Sequence, residues 1–154
     1  MIFLCFCFSI IEAQSLKLPN ECRKILDRNF RGWKLLKVSK EISEYHKKAR
    51  HPFDPNFIKG DWNGDGKTDY AVLIKVKNQN KTIAFVRSRR SFKYYSLEGG
   101  DYIQVFKKGM KDYNYDAQKD FAYKNDSIFV GAGDCCGSSY IWQKGKFVGI
   151  VTSD

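Results

Sequence analysis

The chain has 154 residues, of which 43% are hydrophobic and 16% aromatic, and its formal net charge is +10. That length supports one hydrophobic core, and that apolar content excludes an intrinsically disordered chain. The basic balance points toward acidic partners, such as an acidic polymer or a cell-envelope component, and away from basic ones.

The first residues, "MIFLCFCFSIIEAQS", carry an apolar run from Ile2 to Ile11. It is too short for a membrane helix, which takes about 20 residues. It reads as the hydrophobic region of a secretory signal peptide over residues 1–13, cleaved near Ala13. Residues 14–154 then form one secreted or periplasmic domain. No later apolar segment is long enough to cross a bilayer. Three cysteines remain after cleavage, and an oxidising compartment pairs Cys22 with Cys135 or Cys136. A vicinal bridge between Cys135 and Cys136 is the second arrangement. The odd count leaves one thiol over.

Residues 18–30 place Leu18, Cys22, Ile25, Leu26 and Phe30 at helical spacing, with Pro19 suited to the first turn. "GWKLLKV" (32–38) predicts a strand. "SKEISEYHKKA" (39–49) returns to a helical period, with Ser39 as its N-cap. Two prolines make 51–56 a loop. From residue 69 the period becomes two: Tyr70, Val72, Ile74 and Val76 alternate with Ala71, Leu73 and Lys75. "NQNK" (78–81) predicts a hairpin connection and 82–88 the returning strand. Further strands are expected at 91–97, 102–108, 127–132, 139–143 and 146–152, the last two joined by a tight turn at Lys144–Gly145. Residues 109–126 read as polar and irregular. The expected fold class is α+β: mainly an antiparallel meander with one or two N-terminal helices.

The stretch "GDWNGDGKTDYAVLIKV" (60–76) concentrates negative charge in a basic chain. With Asp61 as position 1, oxygen donors fall at Asp61, Asn63, Asp65 and Asp69, with the Lys67 carbonyl between them. Gly66 stands where such a loop turns sharply. Calcium suits six to eight oxygens in flexible geometry, and the absence of His and Cys disfavours zinc. Unneutralised, three carboxylates so close would repel. The competing reading is a solvated Asn/Asp/Gly turn. Position 12 is Val72 within a strand, so the loop is not an EF-hand.

"GDWNGDGKTDYAVL" resembles the calcium loop of FG-GAP and VCBS-type repeats, D-x-[DN]-x-D-G-x-x-D ahead of a strand. The resemblance implies a calcium ion held by Asp61, Asn63, Asp65, Asp69 and the Lys67 carbonyl. It covers about 17 residues in one copy, and a propeller needs several blades. The chain is also similar to small single-loop bacterial secreted proteins, which implies location and metal but no chemistry.

Two further features invite function. "GAGDCCGSSY" (131–140) offers a cysteine nucleophile with His46 or His51 as base, against a glycine-rich turn tied by a disulfide. Basic clusters at 47–50, 87–93 and 107–111, near Tyr94, Tyr95 and Tyr102, offer a face for nucleic acid or a cell-surface glycan, against ordinary solvated surface. Trp62, placed in a loop, is expected to be partly exposed. The sequence thus favours a calcium-binding domain with a structural or binding role. The alternatives are a polyanion-binding module and, behind it, a calcium-supported hydrolase or a cysteine-dependent enzyme.

Overall fold

The computed structural model describes residues 18–49, 54–133 and 136–153. The expected signal peptide, His51 and Cys135 lie outside the described residues.

Two antiparallel sheets pack face to face. The first carries β1 (Lys34–Leu35), β2 (Phe57–Gly60), β3 (Asp69–Val76), β4 (Gln79–Arg87) and β5 (Phe92–Leu97). β1 and β2 lie end to end along one side of β3, with Leu35 opposite Ile74 and Gly60 opposite Asp69. β4 flanks the other side of β3, and β5 forms the far edge. The second sheet runs β11 (Lys146–Ser153), β10 (Cys136–Gln143), β9 (Ser127–Ala132), β6 (Tyr102–Phe106). A separate hairpin pairs β7 (Lys111–Asn114) with β8 (Lys119–Ala122).

The period-two pattern of β3 and β4 explains the layering. Ala71, Leu73, Ala84 and Val86 face the second sheet and meet Ile103, Ile128, Val130 and Tyr140 in one buried cluster. Val72, Ile74, Val76, Ile83 and Phe85 face the other way. That face is covered by α1 (Asn20–Asn29), through Leu26 and Cys22, together with Leu18 just before it. A strand buried on both faces must be apolar at every position, as "YAVLI" is. The second helix, α2 (Lys40–Lys48), starts at Ser39, whose hydroxyl accepts the Ile42 N–H at 3.3 Å.

The α+β class expected from the sequence is corrected. About half of the described residues are strand, and the helices are short pieces of ten and nine residues. They form no helical layer, so the fold is β-rich. Three local expectations also change. The β3–β4 turn is the pair Lys77–Asn78, both at positive φ, rather than 78–81. β2 lies in a segment given no strand, and the stretch read as irregular contains the β7–β8 hairpin. The Lys144–Gly145 turn lies where expected, with φ of 48° and 80°.

Candidate metal centre

The loop between β2 and β3 is folded by its own side-chain oxygens. Asp61 Oδ1 accepts the backbone N–H groups of Gly64 (2.9 Å) and Asp65 (3.1 Å), and its Oδ2 accepts that of Gly66 (2.8 Å). Asn63 Oδ1 also accepts the Asp65 N–H at 3.1 Å, and Asp65 Oδ1 accepts the Lys67 N–H at 3.0 Å. Short Asp and Asn side chains reach backbone amides two to five residues on, which is why they alternate here. Gly64 and Gly66 take φ of 76° and 79°, where a Cβ is strained. At Gly64 a Cβ would also lie 2.5 Å from Asn125 Oδ1, whereas Gly66 faces open space.

Two anchors hold the loop to the body. The first is Trp62, which is fully buried between the sheets rather than partly exposed. Gly60 makes room for the indole: a Cβ there would sit 2.4 Å from the ring. The Trp62 backbone N–H donates to Asp69 Oδ2 at 2.9 Å, and its indole N–H donates to the Tyr70 carbonyl at 3.3 Å. The second anchor comes from just before β9. Asp126 Oδ2 accepts the Asp61 N–H at 3.2 Å, and the Asn125 side-chain amide donates to the Trp62 carbonyl at 3.3 Å. Asp126 further holds the Lys107 ammonium at 2.8 Å and the Lys108 N–H at 3.1 Å. Sequence reasoning missed Asn125 and Asp126 because they fall inside the stretch read as irregular. Their one signal was an Asn-Asp pair directly ahead of a strand.

The charges are unevenly placed. Asp69, the first residue of β3, is fully buried, and its Oδ1 accepts the Arg87 N–H at 2.6 Å. Burial pushes its carboxyl up, to about 6; the Arg87 and Trp62 amides oppose the rise, and the charges of Asp65 and Asp61 add to it. At Asp126 burial also acts against ionisation. There the Lys107 ammonium and the Lys108 and Asp61 amides outweigh it, holding the carboxyl below the usual range. Asp65 is exposed and pairs with the Lys67 ammonium at 3.2 Å.

The sequence-predicted donors are therefore brought together in part. Asp61, Asn63 and Asp65 share one turn, with Asp69 behind it, and the Lys67 carbonyl accepts no hydrogen bond among the described residues. Among the described residues no three His, Cys, Asp or Glu side chains form a ready-made metal cluster. Asp65 is drawn to Lys67 and Asp69 to backbone amides. The donor chemistry still fits a hard cation, since every donor is oxygen and a carboxylate oxygen bonded to one amide keeps a further lone pair.

The other candidate groups have different surroundings. The expected bridge from Cys22 is not formed. Cys22 is a free, fully buried thiol among Leu18 and Leu26 beneath the first sheet, while Cys136 opens β10 of the second sheet in an exposed position. Burial, with the Glu21 charge adding, pushes the Cys22 thiol up to about 12, which makes it an unreactive core residue. His46 is buried with its ring edge-on to Tyr102 at 5.2 Å, a packing contact.

Comparison of the chain with protein-family models, curated proteins and solved structures gives no match.

Proposed function

We propose that the loop at 61–69 takes up one calcium ion and that the protein is an exported, calcium-stabilised β-rich domain with a structural or binding role. The observation that carries this reading is the loop itself. Oxygen donors stand at positions 1, 3, 5 and 9 of a glycine-bearing turn, and the innermost carboxylate bears the charge of two others. Asp61, Asn63, Asp65 and Asp69 would hold the ion with the Lys67 carbonyl, and Asp65 would exchange the Lys67 ammonium for it. The ion would supply positive charge where the chain has concentrated negative charge. Trp62 and Asp126 keep the loop in place from the core and from the second sheet. The likeness to FG-GAP and VCBS-type loops agrees with this reading.

A cation that binds the folded form alone stabilises it by mass action, by about 2.7 kcal/mol at a hundredfold excess over the dissociation constant. Thermal unfolding of chelator-treated protein, alone and with millimolar calcium or magnesium, tests the proposal. The melting temperature is expected to rise with calcium and to move less with magnesium, which demands a tighter octahedron. Identical melting in chelator and in calcium would overturn it.

A further inference from the structure

Five of the chain's 27 lysines and arginines lie in the last turn of α1 and around the turn of the β4–β5 hairpin that it meets. Arg28 comes from the helix, Arg87 and Lys93 from the facing strands, and Arg89 and Arg90 from the turn between them. A groove of about 520 Å³ runs between helix and strand, lined by Ile25, Arg28, Asn29 and the β5 residues from Phe92 to Tyr95. Among the described residues the ion pairs are Lys40–Glu44, Lys67–Asp65 and Lys107–Asp126, so none of these five cations has an acidic partner within 4.0 Å. The nearby acids are engaged elsewhere. Glu21 Oε1 accepts the Phe92 N–H at 3.1 Å, and Asp27 Oδ1 accepts the Trp33 indole N–H at 2.8 Å. Five cations in one region, none of them in an ion pair among the described residues, repel each other.

The groove also holds a fixed aromatic ring. Tyr94 is 41% exposed, its hydroxyl donates to Asn29 Oδ1 at 3.3 Å, and its ring stands edge-on to Phe30. The other tyrosines that sequence reasoning placed beside the basic clusters turn inward. Tyr95 packs on Trp142 and Phe147, and Tyr102 packs on His46 and Phe129. The Arg87 guanidinium lies 5.6 Å from the Phe92 ring centroid, held as a planar fork by cation–π attraction.

Guanidinium groups match the paired oxygens of a phosphate. A duplex keeps its bases paired and a bilayer has none, whereas a single strand can lay an unpaired base on an exposed tyrosine. We propose that this groove, with the β4–β5 turn that adjoins it, binds a single-stranded phosphodiester chain, with phosphates on Arg28 and Lys93 in the groove and on Arg89 and Arg90 of the turn, and a base against Tyr94.

Fluorescence anisotropy with a labelled oligothymidylate of about twenty nucleotides tests this, beside an abasic chain, a duplex and heparin. Binding is expected to weaken steeply with salt, with each phosphate contact adding about 0.7 to the log–log slope. The exposed-turn double variant Arg89→Ala/Arg90→Ala should weaken binding roughly tenfold and lower that slope by about 1.4. Lys111→Ala/Lys119→Ala, on the β7–β8 hairpin, should leave both unchanged. Tyr94→Leu should weaken the oligonucleotide more than the abasic chain; equal weakening would overturn the base contact and assign the groove to a base-free phosphodiester polymer. No binding at about 50 mM salt would overturn the proposal, since that is where charge-driven association is strong. Equal losses in both double variants, or heparin or duplex bound as tightly as the single strand, would overturn it too.

Discussion

Asp69 is where folding and charge conflict in this molecule. Its two oxygens pin Trp62 and Arg87 through their backbone amides, yet it does so fully buried and in the field of Asp61 and Asp65. The spacing of the acidic residues was legible from sequence because alternation is a local property. That Asp69 would face inward was not, because its partner Arg87 lies eighteen residues on. Trp62 failed as an expectation for the same reason. A loop position suggests exposure, but the space left by Gly60 lets the indole enter the core. The two loop glycines separate backbone strain from contact. Gly66→Ala is expected to cost about 1 kcal/mol through its positive φ alone. Gly64→Ala should cost about 1–3 kcal/mol, because strain is joined by collision with Asn125. In an Asn125→Ala background the excess at position 64 should disappear. Equal costs for the two glycines in urea unfolding would contradict the close approach of Asn125.

At the scale of elements, the long periodic segments were legible and the short polar ones were not. α1, the Ser39 cap, β3 and the Lys144–Gly145 hairpin follow from period, cap chemistry and a glycine at positive φ. β2 has only Phe57 and Ile58 as apolar signal. β7 and β8 read "KDYN" and "KDFA", whose period is masked by lysines and aspartates. The turn at Lys77–Asn78 has positive φ at both positions without the glycine that marks Lys144–Gly145. The elements around the metal loop are tied by Asp126, which joins it to the residues after β6. Its carboxyl is held below the usual range, so its contribution is complete above about pH 4 and is lost as pH falls through the lowered value. Asp126→Asn should remove that part of the acid sensitivity, read as a flatter loss of stability below about pH 4. A variant that unfolds in acid with the wild-type profile would show that the clasp contributes nothing.

For the whole molecule, the two-sided burial of β3 and β4 organises everything else. One face meets the second sheet and the other meets α1, and the oxygen-rich loop opens directly into β3. The helical signals in the N-terminal third suggested α+β. The helices are real, yet too short to make a layer, and strand pairing dominates. A cation at the head of β3 would act on the inner strand of the first sheet and, through Trp62 and Asp126, on the second sheet as well. The most direct measurement is a calorimetric titration of chelator-treated protein with calcium, wild type beside Asp65→Ala. The wild type is expected to bind one ion per chain with a micromolar to millimolar dissociation constant, as extracellular calcium modules do. The variant should bind at least about tenfold more weakly, the equivalent of about 1.4 kcal/mol. No heat in the wild type, or the same heat in both proteins, would contradict the account.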